Sequence, residues 1–192
     1  MPAKKRTLSP EQEKAIKEMV AKIQNIEKEY QSLDEDEDDD DNEKVTEILI
    51  HNANQVLELM QTYYEGTVSQ TTLNKQLDDL AFYFDHKIRY EGESVFESLD
   101  ESSFNEFLGD WYISHTLWST PTTTKRYITA FNKLVAMLEA VGLLSKKRMK
   151  EIKDILKENK AEWIYRMELF NGGPDLYDDY RERVHGFDPF KW

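Results

Sequence analysis

The stretch TPTTTKRYITAFNKLVAMLEAVGLL, residues 120–144, decides the fold of this chain. Its Thr-Pro start supplies a capping hydroxyl and a proline whose fixed φ angle suits the first turn of a helix. Apolar residues then recur every three or four positions, the period of one helix face. Gly142 tolerates the left-handed conformation with which many helices end. The stretch therefore predicts a helix with its core face at Ile128, Phe131, Leu134, Val135, Leu138 and Val141.

The same signals predict helices on both sides of this stretch. Helix starts with a capping residue occur at Ser9, Ser69, Asp100 and Ser145, each followed by apolar residues at helical spacing. The remaining helices are predicted from Pro10 to Leu33, Glu43 to Tyr64, Ser69 to Glu91, Asp100 to Trp111 and Ser145 to Asn171. Alternating patterns typical of strands are nearly absent, so we predict an all-α bundle of five to six helices.

Charge divides the chain into segments. Nine of its 38 acidic residues lie within residues 34–43, where they repel one another and offer nothing to bury. We therefore predict an N-terminal amphipathic helix over 1–31, an acidic linker over 32–42 and a helical domain over 43–170. The tail, 171–192, is aromatic and too irregular for a long helix. We expect it to pack back over the domain, and an exposed partner-binding peptide is the alternative.

Composition excludes several classes of function. The chain has no cysteine, which removes disulfides, thiolate metal sites and thiol nucleophiles and fits a reducing compartment. No stretch approaches the roughly 20 apolar residues that span a bilayer, and no secretory signal follows the basic residues near the N-terminus. We expect a cytoplasmic protein without a membrane partner. The net charge of −13 disfavours binding of nucleic acid by overall charge, so such binding requires a local basic patch.

Residues 66–145 resemble the helical core-binding (SAM-like) domain of tyrosine recombinases and phage integrases. The resemblance rests on Leu99-Asp100 with the acidic turn that follows, and on Thr120 to Ile128 followed by Phe131, Leu134, Leu138 and the Val141-Gly142-Leu143-Leu144 exit. Residues 69–90 resemble the first helix of that domain. The residues after 145 do not resemble the catalytic domain of such recombinases, so we expect none here. The resemblance implies a fold and a way of docking on duplex DNA, without recombinase activity.

Two groups of residues are candidate contacts to DNA phosphates. In the recombinase family the domain contacts phosphates with helix starts and basic side chains, and free amides at a helix N-terminus suit an anion in any case. The candidates at the predicted start near residue 120 are Thr122, Thr123, Thr124, Lys125 and Arg126. Those on the basic helix after Ser145 are Lys146, Lys147, Arg148 and Lys150. The alternative reading of the second group is a solvated helix face.

Catalytic and metal motifs are weak. His86 and Arg89 fit the H-x-x-R of recombinases, but they lie within a predicted core-binding helix, so we interpret the spacing as chance. Glu182 and His185 fit Glu-x-x-His, of which di-iron bundles need paired copies. The acidic run lacks the glycine and final glutamate of a calcium loop. We therefore predict no catalytic residue, no cofactor and no metal site.

Aromatic residues cluster near the end of the fourth predicted helix. Trp111, Tyr112, His115 and Trp118 are interpreted as core anchors, and a cage for a cation or base is the alternative. We conclude that the chain is a non-catalytic helical binding module associated with duplex DNA. The alternative is a protein–protein adaptor that docks its partner through the N-terminal helix or the aromatic tail.

Overall fold

The computed structural model of the chain describes residues 8–33 and 39–186. Within them lie seven helices and no strand, which confirms the predicted all-α class. They are α1 (Pro10–Gln31), α2 (Asp39–Tyr64), α3 (Gln70–His86, continued by a π-helical turn, Lys87–Glu91), α4 (Glu101–Glu106, a second π-helical turn, Phe107–Trp111, and Tyr112–His115), α5 (Pro121–Ala140), α6 (Lys146–Asn171) and α7 (Pro174–His185).

The predicted helix starts are confirmed by their hydrogen bonds. Ser9 caps α1 in a capping box with Gln12, and Thr120 caps α5 in the same way with Thr123. The side chains of Ser69, Asp100 and Ser145 each accept a bond from a backbone amide in the first turn of α3, α4 and α6, respectively. Short polar side chains fixed these boundaries because they satisfy amides that the helix itself leaves unpaired.

Two elements differ from the predicted boundaries. α2 begins at Asp39, four residues before the predicted start at Glu43, so the last residues of the proposed linker are helical. Acidic residues suit a helix start because they complement the positive end of the helix dipole. α7 occupies part of the tail that we predicted to be irregular. Residues 34–38 of the linker, and Phe187, Phe190 and Trp192 of the tail, lie outside the described residues.

One hydrophobic core joins the helices. In chain order α1 packs on α2 and α2 on α3, while α3 packs on α5, α5 on α6 and α6 on α7. The core is rich in aromatic rings: Tyr83 lies 4.8 Å from Phe131 and 4.9 Å from Phe107 between ring centroids, both edge to face. Trp163 of α6 is fully buried, and its indole N–H donates to the Asn105 side chain at 2.8 Å. Large aromatic faces therefore supply much of the buried apolar area.

α7 is attached to α6 by polar and aromatic contacts. The Arg183 guanidinium donates to both carboxylate oxygens of Glu162 at 2.6 Å. The buried Tyr180 ring lies 5.1 Å from Phe170, and its hydroxyl donates to Asp110 at 2.9 Å. The tail segment 174–185 thus lies on the bundle. No helix in the described ranges is long and apolar enough to cross a bilayer.

The two π turns shape one end of α3 and the middle of α4. A π turn inserts one extra residue into a helical turn, so the side chains after it shift around the helix axis. The first π turn ends at Gly92, whose φ of +67° only glycine adopts without strain. His86 directly precedes the first π turn, and Glu106 directly precedes the second. π turns occur frequently at functional sites, so the surface that these two turns share is a candidate site.

Candidate functional site

The start of α5 holds five of the predicted phosphate contacts, and most are engaged within the fold. The Thr123 hydroxyl takes part in the capping box. Thr124 is fully buried, and its hydroxyl faces the Thr120 carbonyl at 3.3 Å. Its side chain cannot reach an external phosphate. Thr122 and Lys125 are exposed at this helix start.

Arg126 forms a bidentate ion pair with Asp79 of α3. Its Nε and Nη2 atoms donate to the two carboxylate oxygens at 2.5 and 2.7 Å, and Asp79 is only 5% exposed. Burial raises the pKa of Asp79 although the bonds from Arg126 oppose this effect. The same hydrogen bonds raise the pKa of Arg126. Because the buried carboxylate neutralises the guanidinium, Arg126 joins α3 to α5 and is not a free cation for DNA.

The basic residues at the start of α6 are only partly available. Glu151 lies 3.8 Å from Lys147 and 3.6 Å from Arg148, and Arg148 also donates to the Leu99 carbonyl at 3.1 Å. Lys146 and Lys150 are exposed and make no ion pair with another described residue. The two cations of this group without an ion pair to another described residue, Lys146 and Lys150, therefore lie in the first two turns of α6.

The two predicted phosphate groups lie at opposite ends of the bundle. The Asn171 amide at the end of α6 contacts the Ser119 carbonyl at 3.4 Å, so the start of α5 lies beside the end of α6. α5 has 20 residues, and its two ends are separated by about 30 Å. The sequence grouped these residues because both sets follow a capping residue. The structure does not bring them together as one patch.

A contiguous set of rings, which we call the aromatic surface, faces solvent at the π turns. Its members are Phe82, Tyr90, Trp111, His115 and Trp118. The Trp111 ring lies 5.8 Å from Phe82 and 5.0 Å from His115, to which it is parallel within 7°. Phe82 lies 6.3 Å from Trp118. Tyr90 is 71% exposed and Trp118 is 59% exposed, values unusual for large aromatic side chains.

The turn between α4 and α5 holds Trp118 at the surface. The buried Thr116 hydroxyl donates to the Tyr112 carbonyl at 2.8 Å, and the buried Ser119 hydroxyl donates to the Thr116 carbonyl at 3.0 Å. Between these two anchored residues, Leu117 is fully exposed beside Trp118. The hydrogen bonds of Thr116 and Ser119 fix the backbone on both sides of Leu117 and Trp118. A partner that binds these two side chains would therefore cause only a small further loss of conformational entropy in the turn.

The interpretation of this region as core anchors holds for Tyr112 and in part for Trp111, which packs against the core. Tyr112 is fully buried and stacks on Phe107 at 5.6 Å. Trp111 is half-buried, whereas His115 and Trp118 are exposed. Sequence reasoning missed Phe82 and Tyr90, which lie on α3 and its π turn. Phe82 is not among the buried residues of α3, and Tyr90 lies in the π turn, which shifts side chains away from the regular helix faces, so the core periodicity indicated neither residue.

A polar cluster adjoins the aromatic surface at the π turns. His86 stacks beneath Trp111, with ring centroids 4.0 Å apart, and its Nε2 lies 3.3 Å from Glu106. The buried Lys87 ammonium lies 2.9 Å from Glu106 and 3.8 Å from Glu93. Burial disfavours the charged form of Glu106, but the bonds from His86 and Lys87 outweigh it and lower its pKa. The carboxylates outnumber the cation, so this corner of the surface is acidic.

The fold and the site can be set against known proteins. No family model, curated protein or solved structure matches the chain. The resemblance to a recombinase core-binding domain therefore stays a prediction that rests on the helix boundaries and apolar faces quoted above.

The two weak motifs place their side chains in separate contacts. His86 of the H-x-x-R pair is buried, while Arg89 is exposed and bonds to Asp85 at 2.6 Å, so the two side chains serve different contacts. His185 of the Glu-x-x-His pair lies 3.5 Å from Asp110. Both histidines thus act in contacts that the motifs did not indicate.

A groove runs between α1, α2, α5 and α6. The groove has a volume of about 1140 Å³ and is lined mainly by apolar side chains. α1 contributes Ile16 and Val20 to one wall, while Ile23 and Ile26 are buried against the rest of the fold. The apolar face of α1 is therefore largely used inside the molecule. This limits the role of the N-terminal helix as a free docking element.

Proposed function

We propose that the chain is a non-catalytic binding module that docks a segment of a partner protein on the aromatic surface. The observation that carries the proposal is the fixed turn that presents Leu117 and Trp118 to solvent next to Phe82 and Trp111. Exposed tryptophan and tyrosine are enriched among residues that dominate binding energy at protein interfaces. An unfavourable exposure held by several hydrogen bonds is best explained by a partner that covers it.

The partner segment is expected to combine apolar and basic side chains. Apolar groups fit the faces of Trp111 and Trp118, whereas Glu91 and Glu106 provide carboxylates at one side. Arginine and lysine also bind favourably over aromatic rings. The net charge of −13 adds long-range attraction for a basic segment. This proposal keeps the adaptor class expected from the sequence but places the contact on α3, α4 and the following turn.

Selection from a phage-displayed library of random peptides tests the proposal. The bait is the full chain, and each enriched peptide is then tested for binding to the wild type and to the double variant Leu117→Ser, Trp118→Ala. Both substituted side chains are exposed, so the variant is expected to fold. We expect enriched peptides rich in aromatic, aliphatic and basic residues, with at least about tenfold weaker binding to the double variant. Enrichment of no sequence, or of peptides that bind both proteins equally, would contradict the proposal.

Duplex DNA is a second candidate, supported by the exposed cations Lys125, Lys146 and Lys150 and by the recombinase resemblance. A salt series with random-sequence duplex DNA tests it, because binding through several phosphates weakens steeply with ionic strength. The matched variant replaces these three lysines by Gln and leaves Arg126 in place, since that residue pairs with the buried Asp79. Salt-sensitive binding that the variant loses would support a DNA contact; no binding at low salt would exclude it.

A further inference from the structure

Three potential metal ligands meet where the two π turns come together. His86 directly precedes the first π turn, Glu91 is its last residue and Glu106 directly precedes the second. One ligand atom from each side chain lies within 4.8 Å of the other two. The residues are 5 to 20 positions apart in sequence, which is why no motif indicated them. The two π turns thus bring three side chains from α3 and α4 close to one another.

The spacing of these atoms suits a common metal ion. His86 Nε2 lies 3.3 and 3.4 Å from the two carboxylate oxygens of Glu106. Two ligands of one tetrahedral zinc ion, each bonded at about 2.0 Å, are separated by about 3.3 Å. A charge-assisted hydrogen bond between the same groups is normally shorter, at about 2.7 to 2.9 Å. The 3.3 Å contact is a long hydrogen bond, and the same separation matches two ligands that share an ion.

The His86 ring is held in place and short of partners. It is 3% exposed and lies between Trp111 at 4.0 Å and Phe107 at 5.3 Å. Its Nδ1 has no hydrogen-bond partner among the described residues, so the long contact to Glu106 is its main polar interaction. Buried imidazoles normally have closer partners than this. Packing between the two rings fixes the imidazole with its Nε2 directed at the Glu106 carboxylate, whereas its Nδ1 lacks the second hydrogen bond that metal-ligating histidines usually make.

We propose that His86, Glu91 and Glu106 bind one divalent transition-metal ion of the Zn²⁺ class. One imidazole and two carboxylates suit zinc and its neighbours, whereas calcium prefers oxygen ligands alone. Glu91 is exposed, so the ion reaches the site from solvent and keeps an open position on that side. The bound ion joins the first π turn to α4. The site shares Glu91 and Glu106 with the acidic corner that the proposed docking offers to basic side chains, but ion binding does not require the partner.

Lys87 sets the charge of the site. Its ammonium lies 2.9 Å from Glu106 Oε2 and fixes that carboxylate, while Oε1 faces the histidine. Lys87 also lies 3.8 Å from Glu93, so its charge is shared between two carboxylates. The positive charge of a bound ion is thus balanced by the carboxylate of Glu91 and by the part of the Glu106 charge that Lys87 does not neutralise. The nearby cation weakens the site relative to a pure carboxylate cluster, while orienting its ligand.

Calorimetric titration of the full chain with ZnCl₂ tests the site. Glu91→Gln removes an exposed ligand without disturbing the core, and Glu158→Gln on the exposed side of α6 is the matched control. We expect one high-affinity site in the wild type, at least about tenfold weaker binding in Glu91→Gln and unchanged binding in the control. Both variants keep the acidic residues of segment 34–43, so weak zinc binding by that segment contributes equally to each titration.

Absorbance after addition of Co²⁺ gives the geometry of the same site. Cobalt bound to one nitrogen and carboxylate oxygens in a tetrahedral site is expected to show strong visible bands, which Glu91→Gln should lose. Equal zinc affinity in the wild type and Glu91→Gln would overturn the proposal, as would a wild type that binds no ion above the level of the acidic run. Neither readout requires the protein partner, so failure of one proposal leaves the other to be judged separately.

Discussion

Tryptophan residues show how environment sets the role of a side chain in this protein. Trp163 is fully buried and hydrogen-bonded to Asn105, whereas Trp118 is 59% exposed in a fixed turn. Both residues lie in segments that contain other aromatic residues, so the sequence alone separates them poorly. Apolar periodicity predicted the core residues of α5, including Phe131 and Leu134, because that helix is regular. It could not predict which rings face solvent at the π turns.

Substitution of each tryptophan separates stability from binding. Trp163→Ala should lower the free energy of unfolding by about 3 to 5 kcal/mol, because it leaves a cavity in the core. Trp118→Ala should change it by less than about 0.5 kcal/mol, since the side chain is mostly exposed. Urea unfolding monitored by circular dichroism measures both values. A large loss of stability in Trp118→Ala would show that this residue serves the fold and would count against a docking role.

Glu27 should make stability depend on pH. Burial raises the pKa of this carboxyl from 4.5 to about 7, with a further increase from Glu97 and an opposing hydrogen bond from Asn52. Between these pH values the folded protein retains a proton that the unfolded chain releases. The free energy of unfolding should therefore fall as pH rises through this window.

Glu27→Gln tests this pH dependence. Gln keeps an acceptor for Asn52 and removes the charge, so the variant should be more stable than the wild type above pH about 7. Melting temperatures measured from pH about 5 to about 8 show the difference. The exposed Glu29→Gln is the control and should follow the wild type. Parallel curves for the wild type and Glu27→Gln would refute the assignment.

Helices in this bundle differ in how much of their attachment is apolar. α5 is held by a continuous apolar face, whereas α7 depends on Tyr180 and on the pair Arg183–Glu162. The sequence predicted α5 because one helix face carries its core contacts. It did not predict α7, since that helix is stabilised by partners on α6 and α4 that are distant in sequence. The first π turn likewise depends on packing rather than on local preference.

Loss of the Glu162 charge should loosen α7 selectively. The bonds from Arg183 and Arg166 lower the pKa of Glu162 to about 2, although burial opposes them. This ion pair therefore stabilises the folded state above the ordinary pKa of 4.5, and its contribution disappears as pH falls toward 2. In Glu162→Gln we expect faster amide hydrogen exchange in residues 176–185, with exchange in α5 unchanged. Equal acceleration throughout the chain would show a global effect instead.

The net charge of the whole molecule disfavours a broad contact with DNA. The chain carries a net charge of −13, and its predicted phosphate contacts are either paired, buried or divided between two ends of α5. Composition predicts that a DNA contact needs a local basic patch. Whether the candidate residues formed one patch was not readable from the sequence, because their separation depends on the antiparallel packing of α5 and α6.

Ionic strength should distinguish the two classes of partner. Peptides selected on the aromatic surface should lose less than about tenfold in affinity between about 0.05 and 0.2 M salt, because apolar contacts provide most of the binding. Binding to six or more phosphates would lose about a thousandfold over the same range. Fluorescence anisotropy with labelled peptide and labelled duplex DNA measures both. A steep salt dependence for the peptide would assign its binding to charge rather than to the aromatic rings.

The indole N–H signals of the four tryptophans provide the most direct test of the aromatic surface as the docking site. A ¹H–¹⁵N spectrum of the full chain, with signals assigned by single Trp→Phe variants, is recorded during titration with a selected peptide. We predict shifts for Trp111 and Trp118 and an unchanged signal for the buried Trp163. Saturable peptide binding that leaves both Trp111 and Trp118 unshifted would contradict the account.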